Sequence, residues 1–260
     1  MDLQLKNKRA FISGSTKGIG KEIAKTLAEE GAIVVINGRS EDSINKAKNE
    51  ILKEVPDAQI SGIACDFSKK EEVTALIETL GTVDILINNV GIFKEVDFLD
   101  TTDELWQEFY NLNVMSGVTL SRALLPAMLE QDWGRIIFIS SESGLNIPVE
   151  MVHYGMTKTA QLAISRGLAE ITKGTRVTVN SVLPGPTFSE GVQEMTDANN
   201  GKDRSDIEDE FFDKARPTSL IQRFAEPQEV ANMVAYVASP RSSATNGASL
   251  RVDGGVVKII

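Results

Sequence analysis

The chain has 260 residues, enough for one sizeable core, and its 42% hydrophobic and 25% charged content is that of an ordinary globular domain. Acidic residues outnumber basic ones 37 to 27, and a net charge of -10 would repel nucleic acid and anionic membrane surfaces. A single cysteine, Cys65, excludes an intrachain disulfide. Together with an N-terminus that lacks a signal-peptide pattern and no apolar stretch of membrane-spanning length, this leads to a cytoplasmic expectation.

Short β-branched runs alternate with amphipathic segments along the chain. RAFIS (9–13) reads as a buried strand and 19–31 as a helix stopped at Gly31. Strands follow at 32–37 and 59–66, with a helix between them over 41–55 that Pro56 closes. A polar helix (69–80) leads to a strand at 83–89, and a long helical stretch (102–130) to a strand at 134–141. Helix 152–173, strand 176–183, helix 227–238 and strand 248–255 complete the series. Strands spaced by helices need crossover connections. The expected fold is α/β: a Rossmann-type doubly wound parallel sheet of about seven strands with helices on both faces, in a single domain over 1–260. Ligands of such sheets bind beyond the carboxyl ends of the strands, near the point where the strand order reverses. Only 188–218 breaks the rhythm. A polar, charged segment of that length is either disordered or a functional insertion such as a lid.

SGSTKGIG (13–20) lies where the first strand turns into the first helix. Gly14, Gly18 and Gly20 suit a tight turn, and the helix N-terminus behind them offers free N–H groups and positive dipole to a pyrophosphate. Glycines that merely make a tight connection would look much the same, so the turn's place in an α/β series decides for dinucleotide binding. No His/Cys/carboxylate cluster has metal-ligand spacing, so no metal is expected.

With this turn, the sequence resembles the short-chain dehydrogenase/reductase family, including its 3-oxoacyl-(acyl-carrier-protein) reductase-like branch. The family's T-G-x-x-x-G-x-G appears here with Ser13 in place of threonine, and its N-N-A-G appears as NNVG (88–91) with Val90 in place of alanine. Asn113 in NLNV, Ser141, YGMTK (154–158), PG (184–185) and RVDGG (251–255) follow in family order over nearly the whole chain. The resemblance implies Asn113, Ser141, Tyr154 and Lys158 as catalytic residues. Tyr154 and Lys158 share one helix face. A free phenol titrates near 10 (its ordinary value) and needs a neighbouring ammonium to act at neutral pH. Tyr154 is then the proton donor or acceptor, Ser141 holds the substrate oxygen, and Asn113 anchors a water linking Lys158 to solvent. Taken alone, Y-x-x-x-K is usually a solvated helix face and Asn113 a capping residue. Ser140 is expected to point away from Ser141, and His153 to face the pocket or the surface rather than act as a base.

The resemblance further implies cofactor contacts from Gly14, Ser15, Thr16, Lys17, Gly18, Ile19 and Gly20 in the turn. It adds Arg39 after the second strand, Asp66 and Phe67 after the third, and Asn88, Asn89, Val90 and Gly91 after the fourth. Tyr154, Lys158, Pro184, Gly185, Thr187 and Ser189 complete the set. INGRS (36–40) has no carboxylate to meet a ribose 2′-hydroxyl, and it offers Arg39 to a 2′-phosphate with Lys17 as a second cation. NADP(H) is therefore favoured over NAD(H).

The acidic balance, with Glu130 and Asp132 in MLEQDWGR (128–135) and the lid's SDIEDEFFD (205–213), favours a small free carbonyl or alcohol over an acidic carrier protein. Carrier-linked 3-oxoacyl reduction is the alternative, and a non-catalytic NADP-binding regulator a third reading. Sugar-nucleotide epimerases carry a different glycine turn and a longer C-terminal part, and a methyltransferase would want an acid near Gly38. The family also implies a homotetramer, or a dimer, with the apolar tail VVKII (256–260) packed on a neighbour.

Overall fold

The structure is a computed structural model that describes residues 1–195 and 201–260. Residues 196–200 of the expected lid lie outside the described residues. Seven strands form one sheet: β1 (Arg9–Ile12), β2 (Ile33–Gly38), β3 (Gln59–Ala64), β4 (Ile85–Asn88), β5 (Gly134–Ile139), β6 (Val177–Pro184) and β7 (Ser249–Val252). Their order is β3-β2-β1-β4-β5-β6-β7, and every pairing is parallel. The order reverses between β1 and β4, so the carboxyl ends of these two strands frame the crevice.

Alternation along the strands builds two separate cores. Ile12, Val34, Ile36, Ile85, Ile87 and Ile137 face α1 (Gly18–Glu29), α2 (Glu41–Glu54) and α9 (Pro227–Ala238). Their sequence neighbours Phe11, Val35, Leu86, Ile136 and Phe138 face α3 (Lys70–Leu80), α5 (Ser116–Glu130) and α6 (Val152–Ile171). A one-residue slip of any strand would exchange its two faces, which holds the register.

The stretch expected as one helix over 102–130 is continuous but not uniform. Thr102 caps α4 (Asp103–Phe109) by accepting from the Leu105 N–H, a π-helical turn spans Tyr110–Met115, and α5 follows. Contrary to the expectation that no stretch reaches membrane-spanning length, the 28-residue helical stretch Asp103–Glu130 does so, its most apolar 18 residues having a mean hydropathy of 1.2. Half of its most apolar window is buried inside the protein, with Leu120, Leu124 and Met128 in the second core.

The polar insertion is not a bare loop. It carries α7 (Glu190–Met195) and α8 (Arg204–Lys214). Phe188, Phe211 and Phe212 close around Phe224 with ring centroids 5.6, 4.9 and 5.3 Å away, and Ile207 joins them. These phenylalanines form a small core that holds the insertion down.

Candidate active site

The glycine turn connects β1 to α1 at the switch point. Gly14 and Gly18 adopt φ of +61° and +57°, a region that side chains other than glycine rarely occupy. Gly20 is required by packing, since a Cβ there would stand 2.5 Å from the Gly14 carbonyl oxygen and 2.5 Å from Asn89 Nδ2. Ser13, where the family has threonine, accepts from the Asn89 and Val90 N–H groups at 3.0 and 3.2 Å. The serine thus ties the turn to the loop after β4. Ser15 Oγ donates to the Ile12 carbonyl at 2.7 Å and accepts from the Asn37 N–H at 2.9 Å, and Asn37 Oδ1 accepts from the Gly14 N–H at 2.9 Å. Thr16 fills the space above Gly38, where a Cβ would come within 2.5 Å of its methyl group, and Ile19 packs on the first core. The turn is therefore held by its own hydrogen bonds before any ligand arrives.

Asn113 sits in the π turn, buried to 1% exposure. Such turns push a backbone segment out of register and are frequent at functional sites. Its Oδ1 accepts from the Ile92 N–H at 2.8 Å, and its Nδ2 donates to the Ile92 carbonyl at 2.9 Å and to Thr157 Oγ1 at 3.0 Å. The side chain thus clamps the loop after β4 to α6. The main-chain oxygen of Asn113, the residue expected to anchor a relay water, accepts from Gln161 Nε2 at 2.6 Å. Gln161 Oε1 in turn accepts from Lys158 Nζ at 3.4 Å. In this state a glutamine amide spans the gap from Asn113 to Lys158.

Ser141, just beyond β5, faces Tyr154 and Lys158 from the first turns of α6. Ser141 lies close enough to the Tyr154 phenol to favour its ionised form, and accepts from the Ser143 N–H at 3.1 Å. Ser140 turns the other way, as expected, and donates to the Lys158 carbonyl at 2.8 Å. Lys158 Nζ lies 5.5 Å from the Tyr154 ring centroid and donates to the Ile139 carbonyl at 2.9 Å. The expected acidification of the phenol is absent in this state. Burial pushes Tyr154 up to about 12, Ser141 and Arg216 pull against that rise, and Glu142 adds to it. Burial pushes Lys158 down to about 7, so its ammonium is itself only marginally stable at neutral pH.

The remaining predicted contacts divide. Gly91 faces the reacting end, since a Cβ there would stand 3.5 Å from Lys158 Nζ, and Asn89 Nδ2 donates to the Gly14 carbonyl at 2.8 Å. Asn88 is turned into the interior, donating to Ser121 Oγ at 3.1 Å beneath α5, so its side chain does not line the crevice. Lys17 precedes α1 as its N-cap, and Arg39 is exposed at the end of β2. Asp66 holds a turn by accepting from the Ser68 N–H and hydroxyl, and Phe67 packs on the second core. Pro184 ends β6, and Gly185 must be glycine because a Cβ would meet Asp253 backbone at 2.7 Å. Thr187 Oγ1 donates to the Gly185 carbonyl at 2.9 Å, and the Ser189 N–H donates to the Thr187 carbonyl at 2.7 Å.

Two other expectations change. His153 faces neither pocket nor surface: it is 1% exposed and stacks edge-on against Phe109 and Trp106, at 4.4 and 6.0 Å. Glu130 and Asp132 lie before β5, at the amino end of that strand and so opposite the site. There Asp132 accepts from Arg176 N–H and Nε, both at 2.9 Å, so neither acid guards the crevice of its own chain.

Sequence reasoning passed over Glu142 and Arg216. Arg216, just beyond α8, donates through Nε to Glu142 Oε1 at 2.8 Å, and both side chains are under a tenth exposed. Glu142 Oε2 has no partner. The charge inside ISSES (139–143) was a signal; Arg216 lay unmarked among the lid's other charges.

Fold and site together define a class: nicotinamide-dependent oxidoreductases that act on alcohol or carbonyl groups. The family model described as enoyl-(acyl carrier protein) reductase matches residues 14–257. The chain is 46% identical over 264 residues to the uncharacterized oxidoreductase YvrD of Bacillus subtilis (strain 168), covering 99% of each. It is 30% identical over 260 residues to the 3-oxoacyl-(acyl-carrier-protein) reductase FabG of Aquifex aeolicus (strain VF5), covering 98% of this chain and 100% of that one. Among solved structures, L-sorbose reductase of Gluconobacter frateurii, complexed with NADPH and L-sorbose, matches with a TM-score of 0.91 at 30% identity over 100% of both chains. The chain belongs to the short-chain dehydrogenase/reductase family.

Proposed function

We propose that the protein is an NADP(H)-dependent reductase of a small, free, polar carbonyl compound, with Tyr154 as the proton donor. The observation that carries this reading is the convergence of Ser141, Tyr154 and Lys158 beyond the carboxyl end of β5. The glycine-rich cradle that would hold the cofactor lies one switch point away. When bound, the cofactor supplies the hydride. Gly14 to Gly20 would hold its pyrophosphate, Arg39 and Lys17 a 2′-phosphate, and Thr187 the nicotinamide amide. Ser141 orients the substrate oxygen toward the phenol, and Lys158 holds the charge that lets Tyr154 give up its proton.

A small polar substrate is favoured by the charges of Glu95, Glu150, Lys214 and Arg216. They line an open cleft of about 460 Å³ together with Asn146, Ile147, Pro148, Val149 and Ala215, and Arg216 reaches from there to Glu142 beside Ser141. Carboxylates and cations suit hydroxyl groups better than an acyl chain. The L-sorbose bound by the similar reductase makes keto sugars the first compounds to test. Carrier-linked 3-oxoacyl reduction is the second reading, supported by the FabG relative. The deciding experiment follows NADPH oxidation against keto sugars, simple ketones, aldehydes, quinones and short acyl thioesters. Turnover confined to the thioesters would move the assignment to the second reading, and NADPH binding without turnover on any of them would move it to a regulator. We also propose a cytoplasmic homotetramer, or a dimer. The exposed Ile259 and Ile260 beyond the buried Val256 and Val257 support association. A light-scattering mass of one subunit would overturn it.

A further inference from the structure

Glu190 opens α7 and belongs to no predicted contact. Its Oε2 accepts a hydrogen bond from the Gly18 N–H at 2.7 Å, and its Oε1 lies 3.4 Å from Lys21 Nζ. Gly18 is the first residue of α1, and Lys17 before it gives the helix no side-chain cap. The lid, 172 residues further along the chain, therefore supplies the anion that satisfies this helix start. Burial works against the charge, but backbone N–H groups including that of Gly18, with Lys21, hold the Glu190 carboxyl below the usual carboxylate range.

The same N–H and the same positive helix end are what a dinucleotide phosphate requires. One N–H cannot serve two anions fully, and two negative groups on one helix start repel. The contact is close: a Cβ on Gly18 would stand 3.4 Å from Ser189 Cβ and 3.7 Å from Glu190 Oε2. We propose that Glu190 is an internal anion seated in the pyrophosphate subsite, and that it sets cofactor affinity by competing for the Gly18 N–H. The proposal rests on the cofactor reading above. A phosphate entering the subsite displaces the carboxylate, and with it the first turn of α7. Lys21 keeps a partner when this happens, because Glu50 Oε2 lies 2.9 Å from its Nζ. Cofactor occupancy is thereby coupled to the position of the lid.

The test is titration calorimetry of wild type, Glu190→Gln and Glu190→Ala with NADPH, and separately with 2′-AMP, which carries the 2′-phosphate but no pyrophosphate. Removing the charge is expected to tighten NADPH binding by about threefold to tenfold, in the range of helix-end charge effects, and to leave 2′-AMP unchanged. Equal or weaker NADPH binding by both variants would overturn the proposal, as would an equal gain for 2′-AMP. A wild type that binds 2′-AMP and NADPH equally well would show that no pyrophosphate reaches Gly18, which also overturns it. If none of the proteins binds NADPH, the cofactor reading itself fails, and this inference goes with it.

Discussion

The two sides of the crevice are built on different principles. The β1–α1 side is set by the sheet itself: glycine dihedrals, parallel strand register and short contacts among Ser13, Ser15, Asn37 and Asn89 shape it, even where partners such as Ser13 and Asn89 stand 76 residues apart. The lid side is assembled outside the sheet, through Arg216 to Glu142, Glu190 to Gly18, and a phenylalanine cluster around Phe224. The first side carries the glycine-turn motif that resembles the family's. The second is tied down by side-chain charges, so selectivity should respond to changes there more than turnover does.

The largest effect should come from the shared chemistry. Tyr154→Phe is expected to lower turnover about 10²–10⁴-fold while changing NADPH affinity less than twofold (roughly, since the phenol is not a phosphate ligand). A parallel loss in affinity would mean that Tyr154 builds the cofactor site rather than moving a proton. Next, Arg216→Met strips the partner from a buried carboxylate and should cost about 3–5 kcal/mol in urea unfolding. Arg216→Met combined with Glu142→Gln should recover most of that loss. If the double variant is no more stable than the single one, the ion pair is not what joins lid to site.

A smaller change is expected at the cofactor's phosphate end. Arg39→Glu should weaken NADPH by about tenfold or more and leave NADH nearly unchanged, in line with the loss of a charge-assisted phosphate contact. Equal losses for both nucleotides would remove the NADP assignment. The smallest effect concerns Lys158, whose burial disfavours its charged form in the fold. Its folded-state value of about 7 lies below the ordinary 10.5, so the folded form binds fewer protons between those limits. The penalty is complete below pH 7 and fades as pH rises toward 10.5. Lys158→Met should therefore raise the melting temperature by about 3 °C at pH 7, with the gap to wild type narrowing by pH 9. A gap that widens with pH would show that the ammonium is stabilised where it sits.

Much of this molecule was readable from residue order. Alternating β-branched runs and helix stops place seven strands, because strand and helix periods are imposed on the chain residue by residue. The glycine turn and the Tyr154–Lys158 pair were legible because their spacing reflects geometry within one turn or one helix, whereas Ser141 and Asn113 were named by the family resemblance. The local rule misled where burial intervened. Tyr154 and Lys158 stand together as their spacing requires, yet the low-polarity interior disfavours both of their charged forms. His153 was assigned outward from its neighbour's orientation, but α4 covers it.

Residue order therefore determined the sheet, through period, and the family and the candidate proton-transfer residues, through motifs that resemble the family's. Only the folded structure decided that Gln161 spans Asn113 and Lys158, that Arg216 neutralises Glu142, and that Glu190 caps α1. A lone charge in a polar stretch looks the same whether water or a distant partner will solvate it. That choice is made when the chain closes and the dielectric around it falls.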